Sequence, residues 1–228
     1  MTTRLGETWR SLRFLQLFVF TVLVLLLIPI QLRFRALGLV LILLYLNAVA
    51  VSLSAAGYRG LRWPFLAGWV LIAILKPASI AEPGLSTVLY VTSRVLVVLL
   101  LGACVAAVMG YVLRRAVISV DRIFAAIVAY MLAALAFAAA YEAVVAVAPE
   151  SFALPAAVTA VDAPERLEVQ LIYYSFVTIA TLGYGDISPR QPLAQMLSVL
   201  EAVVGQFYVA VVIAWLVSLY AAQHKAST

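Results

Sequence analysis

The sequence predicts an all-α membrane protein of six transmembrane helices, with one re-entrant half-helix between the last two. Three observations predict it. Of 228 residues, 66% are hydrophobic and 11% charged, against roughly 45–50% and about 25% in ordinary globular chains. The mean hydropathy of +1.13 comes from long unbroken runs rather than even scatter. One further apolar segment is too short to cross a bilayer and return. A hydrocarbon core of about 30 Å takes roughly 20 helical residues per crossing, so this length holds six spans and short connections. A soluble enzyme is excluded.

The first run, 14–30, is flanked by Arg10 and Arg13 before it and by Arg33 and Arg35 after it. It is long for the core of a signal peptide, and no small-x-small cleavage pattern follows it closely, so a retained helix is expected. The second, 36–56, carries no charge and ends at Gly57. The third, 63–75, contains Pro64 and lies between Arg62 and Lys76. Its length also suits an interfacial or re-entrant segment; snorkelling of the flanking cations extends it to a span. The fourth, 95–113, has Arg94 at its outer end and Arg114 and Arg115 at the other. The fifth, 123–141, stops beside Glu142, and 149–164, with three prolines, reads as an exposed loop. The last, 192–222, is interrupted only by Glu201.

The formal charge of +5 is spread in ones, twos and threes between the runs. Nucleic-acid binding needs a basic face or stripe, so it is not expected. The charges instead report topology. With six spans and a cytoplasmic amino terminus, nine Lys and Arg fall inside and five outside; if 63–75 does not cross, the count becomes six against eight. Six spans, with both termini on the cytoplasmic side of the plasma membrane, follow. Cys104, the one cysteine, has no intrachain partner and reads as a small packing residue.

The chemistry lies between the last two runs, in residues 167–189. Their first half is apolar, lacks Gly and Pro, and follows Pro164, a residue suited to the first helical turn. From 165 to 180 such a helix reaches about 24 Å. It must therefore enter the membrane and turn back. Gly183 and Gly185 bracket Tyr184 and open backbone conformations closed to other residues. Non-helical backbone at membrane depth persists only where protein buries it or water lines it.

The string Thr181-Leu182-Gly183-Tyr184-Gly185-Asp186, with Thr178 before it and Pro189 after it, resembles the selectivity filter of the potassium channel family, in its bacterial-type six-span form. The resemblance implies a homotetramer in which four filter strands surround one axis and backbone carbonyls replace the water around K+. The ion ligands it implies are the carbonyls of Thr181, Leu182, Gly183 and Tyr184 and the Thr181 hydroxyl. Leu182 stands where Val or Ile is commoner. Tyr173 and Tyr174 occupy the positions of a tryptophan pair that braces the filter in many relatives, so their hydroxyls are expected to reach Tyr184 and Asp186, unless they only pack the pore helix. Val177 replaces a Glu found in some bacterial relatives. Gly205 matches an inner-helix glycine that serves either as a gating hinge or as a packing site. The match is specific over 117–222; for 1–116 it extends only to helix count.

Glu201, an intramembrane carboxylate, is expected behind the filter, bonded to the pore helix or sharing a proton, and tuning filter stability; an outer-interface position is the alternative. Steps of four from Gly205 give Val209, Ile213 and Val217, an apolar cavity stripe suited to gating by dewetting. The fourth run lacks the every-third-residue arginines of a voltage sensor. The expected organisation is a sensor-like four-helix domain, 1–116, and a pore module, 117–228. The six residues after 222 leave no room for a cytoplasmic ligand domain, so control would come from the amino-terminal helices, lipid, protons or a separate regulatory subunit, unless the pore is simply open. A weakly selective cation channel and a non-conducting channel-like subunit are the alternatives. No catalytic grouping and no organic cofactor is expected.

Overall fold

A computed structural model describes residues 12–31, 57, 60, 62–81, 86–114, 119–155 and 164–226. Six helices make up most of it: α1 (Arg13–Gln31), α2 (Arg62–Ala81), α3 (Ser86–Val112), α4 (Val120–Val147), α5 (Pro164–Ile179) and α6 (Pro192–Ala226). Among the described residues, three stretches are long and apolar enough to cross a membrane: Ser86–Val112, Val120–Val147 and Pro192–Leu219. Arg13–Leu27 and Phe65–Leu75 are shorter apolar helices. The expected span 36–56 lies outside the described residues. The protein is an all-α membrane protein, with one addition. Phe152–Ala153 (β1) and Ser188–Pro189 (β2) pair antiparallel, Phe152 opposite Pro189 and Ala153 opposite Ser188.

The chain divides into two compact units. The first comprises Met1–Pro64, Cys104–Met131 and Tyr208–Thr228. Here Asp121, in the first turn of α4, accepts the Phe14 and Leu15 backbone N–H groups at 2.7 and 3.4 Å. Those donors lie at the start of α1, where a helix has no internal acceptors for them, and an anion there also meets the positive end of the helix dipole. Phe14 stacks on Tyr111 at 5.2 Å and Phe18 lies 5.2 Å from Phe124. Ser119 caps α4 by accepting the Arg122 N–H at its hydroxyl, 3.3 Å away. Tyr208 donates to the Ala126 carbonyl.

The second unit comprises Phe65–Ala103 and Leu132–Phe207. Its core is Tyr141, Val145, Phe152, Leu167, Leu171, Tyr174, Ile187 and Ala194. The rings of Tyr141, Phe152 and Tyr174 meet edge to face at 5.2–5.4 Å, the geometry favoured by aromatic quadrupoles. This cluster corrects the expectation of an exposed loop from residue 149. The chain instead makes a 3-10 turn at Pro149–Ser151 and inserts Phe152, 4% exposed, into the core. The Arg190 N–H donates to the Ser151 carbonyl at 2.8 Å, extending the short ladder.

Helix α3 also differs from its hydropathic run. It starts at Ser86, so Arg94 lies inside it rather than at its end. Arg94 is 5% exposed. Its guanidinium pairs with Glu142 at 3.0 Å, lies 3.9 Å from Glu168, and covers the Tyr90 ring at 4.9 Å. Tyr90 donates to the same Glu142 carboxylate at 2.8 Å. A hydropathy boundary falls at an arginine because its charge is costly in an apolar run. The helix continues through it because that charge is matched.

Candidate functional site

Helix α5 begins at Pro164, whose missing N–H costs nothing in a first turn. At its other end the chain tightens and reverses. Ala180 N–H donates to Phe176 O at 3.2 Å, Thr181 N–H to Thr178 O at 2.9 Å, and Leu182 N–H to Val177 O at 2.9 Å. Thr178 therefore contributes a backbone carbonyl that fixes where Thr181 begins. Residues 182–184 then run without helix or strand.

The backbone of this segment alternates in hand. Thr181, Gly183 and Gly185 have φ of 56°, 58° and 78°, whereas Leu182 and Tyr184 remain in the ordinary negative region. Glycine takes positive φ without penalty; a β-branched threonine there is a true outlier. Such strain persists only where neighbours hold it. Residues 180–186 are all exposed in the single chain, Leu182 at 56% and Tyr184 at 66%.

Braces approach from two sides. Tyr173 donates from its hydroxyl to Asp186 Oδ2 at 2.8 Å, and its ring lies nearly parallel to Tyr184 at 6.5 Å. Asp186 Oδ1 accepts the Ile187 N–H at 3.1 Å, and Ile187 is part of the core. Tyr174 points elsewhere. Its hydroxyl lies 2.7 Å from Ser198 Oγ, within the aromatic core. Ser198 gives its own proton to the Ala194 carbonyl at 2.7 Å, which makes Tyr174 the donor to Ser198. Of the adjacent tyrosines, one bonds the filter-like segment and the other bonds α6.

Behind α5 lies Glu201, 0% exposed. It accepts the Tyr141 hydroxyl of α4 at 2.5 Å on Oε2 and is hydrogen-bonded to Ser175 of α5 through Oε1. It does not reach the outer interface. Gly205, a turn further along α6, lies against the end of α5. A Cβ built there would fall 2.2 Å from the Ile179 carbonyl oxygen and 2.9 Å from Ile179 Cγ1. The next residue, Gln206, donates from Nε2 to Thr181 Oγ1 at 3.1 Å, while that hydroxyl donates to the Ala180 carbonyl at 2.8 Å. Val209 and Val217 are exposed on α6. The side chain of Ile213 lies outside the described ones.

Ser175, Tyr141, Ser198 and Gln206 are contacts that no motif marks. Gln206 could have been noticed as an uncharged polar residue inside an apolar helix beside Gly205. Ser175 and Tyr141 carry no comparable signal, because each is ordinary in its own helix. Among the described residues, no group of three or more His, Cys, Asp or Glu has the arrangement of a metal site.

Residues 165–222 match a protein-family model described as "Ion channel". Over 66 residues, 29% of its length, the chain is 33% identical to the two pore potassium channel c of Oryza sativa subsp. japonica. The match spans 14% of that relative's length. No solved structure matches the chain. The segment built around α5, the reversed strand and α6 is thus similar to an ion channel domain, in line with the resemblance carried by residues 178–189.

Proposed function

We propose that the chain is one subunit of a homotetrameric channel that conducts K+ passively and selectively. The observation that carries this reading is the alternating backbone at 181–185, uncovered in the single chain. A regular strand turns successive peptide planes to opposite sides; alternating hand turns them to the same side. The carbonyls of Thr181, Leu182, Gly183 and Tyr184 would then form one row, with the Thr181 hydroxyl at its inner end. Four such rows around an axis offer a dehydrated cation a cage of carbonyl dipoles. Bare backbone at membrane depth needs protein or a water path beside it, and three further copies supply both.

In this reading 117–228 is the pore module and 1–116 a sensor-like domain. K+ sheds water at the row, passes it in steps, and leaves through a cavity lined by Val209, Ile213 and Val217. Asp186, held by Tyr173, fixes the outer end of the row; Gly185 permits its last bend. Glu201 supports the pore helix from behind. Arg94, neutralised by Glu142, favours a channel without strong voltage gating. The protein works in the plasma membrane among lipids, both termini cytoplasmic, with a separate subunit as a possible source of control.

Purified protein in liposomes tests the proposal. A K+ gradient should drive a flux that barium blocks, with Na+ far slower, and Gly185→Ala should abolish it. Equal Na+ flux would mean a weakly selective cation channel. No flux in correctly folded protein would mean a channel-like subunit that does not conduct.

A further inference from the structure

Three helices meet at Glu201, and the hydrogens available there do not suffice for an ionised carboxylate. Ser175 has one hydroxyl proton. Its oxygen lies 2.6 Å from the Ala134 carbonyl oxygen of α4 and also in hydrogen-bond contact with Glu201 Oε1. A carbonyl only accepts. If Glu201 were a carboxylate it too could only accept, and one of these close oxygen pairs would have no hydrogen between them. Tyr141 cannot resolve the conflict, because its proton already serves Glu201 Oε2. Among the described residues the partners of Glu201 are these two hydroxyls, and no cation pairs with it. Uncompensated carboxylates inside a membrane protein are costly.

We propose that Glu201 is held as a neutral carboxylic acid and acts as a directional hydrogen-bond relay from α6 to α4 and α5, a positioning residue for the pore helix. Every group is then satisfied once. The Tyr141 O–H donates to Oε2, the Glu201 carboxyl O–H donates from Oε1 to Ser175 Oγ, and the Ser175 O–H donates to the Ala134 carbonyl. The relay starts and ends on α4, and passes through α6 and α5 between. Ser175 lies on the same helix as Thr178, whose carbonyl sets the Thr181 position. Loss of the relay therefore frees α5 to shift against α4 and α6, and the reversed strand shifts with it. The role assigned to the relay rests on the pore reading; the protonation of Glu201 does not.

Glutamine reproduces the relay, because its amide N–H₂ donates where the acid O–H did and its carbonyl accepts from Tyr141. Alanine removes both functions. The relay predicts that Glu201→Gln keeps K+ flux within about twofold of the parent and that Glu201→Ala lowers it about tenfold, the factor expected for a lost buried hydrogen bond. Ser175→Ala, which frees the Ala134 carbonyl, should fall with Glu201→Ala. The infrared difference spectrum of parent minus Glu201→Gln should contain the carbonyl stretch of a protonated carboxylic acid. A carboxylate band in its place overturns the proposal, as does a Glu201→Gln protein as impaired as Glu201→Ala. If the parent protein conducts nothing, the pore reading fails, and the infrared spectrum together with the thermal stabilities of the three variants still decides the relay.

Discussion

Replacing Gly205 by alanine separates two roles for this glycine, clearance and bending. Its added Cβ would lie 2.2 Å from a backbone oxygen, Ile179 O, and 3.1 Å from the carbon bearing it. A flexible side chain could swing away from such an intrusion, but the last carbonyl of α5 cannot. To restore an ordinary contact of 3.4 Å, α6 and the end of α5 must part by about 1.2 Å, and overpacking of this kind costs about 1–3 kcal/mol. Because the obstacle is backbone, the upper part of that range applies, a shift of about 5–10 °C in melting temperature for a chain of this size. The displaced atoms lie two residues from Thr181, so the strain is delivered to the inner end of the proposed carbonyl row. The assay pairs thermal unfolding in detergent with K+ and Na+ flux in liposomes. Gly205→Ala should melt earlier and lose K+ over Na+ preference by about tenfold, the ratio equivalent to 1.4 kcal/mol. A variant that keeps its melting temperature and its selectivity, and changes only how often the pore opens, would refute the clearance argument and assign Gly205 to bending.

Tyr173→Phe should shorten the time over which K+ flux is sustained, by removing the bond to Asp186; Tyr174→Phe, acting in the core, should lower stability and leave the flux time course unchanged. The opposite pattern would contradict the placement of the two hydroxyls. Gln206→Leu should reduce K+ flux without changing the melting temperature, since it removes the donor to Thr181 from an exposed position. An unchanged flux would show that the amide does not orient that hydroxyl. Glu142→Gln removes the nearer of the two carboxylates beside a buried guanidinium and leaves Glu168 at 3.9 Å, so it should cost up to about 3–5 kcal/mol, whereas the Arg94→Met/Glu142→Met double variant removes both charges of the pair and should be milder. Equal melting temperatures for the two would mean that the pair is not buried in solution.

Much of this was legible beforehand because the membrane writes its constraint into runs of residues. Helices in α1, α3, α4 and α6, the start of α5 at Pro164 and the reversal at Gly183 and Gly185 all follow from such local signals. The difference between Tyr173 and Tyr174 was partly legible, since adjacent helical residues do not share a face; which one faces the filter depended on where Phe152 and Ser198 lie. The interior position of Arg94 was not legible, because hydropathy ends a run at a charge and cannot see Glu142, 48 residues away. Gly205 supports both of its roles in the sequence, and its small clearance from Ile179 O leaves no local signal there. The Phe152–Pro189 pairing is two residues long and joins segments of ordinary loop composition, so it left no periodicity to read.

The Arg94–Glu142 pair also sets a scale for electrical work. Carrying one elementary charge across the whole membrane field yields about 2.3 kcal/mol per 100 mV. Removing one partner of a buried pair costs about 3–5 kcal/mol. A resting potential acting on one arginine therefore falls short of the energy needed to pull it from its carboxylate, even over the full thickness. Within α3, the arginine that in composition only marks the end of an apolar run is, in energy, a bolt between this helix and α4.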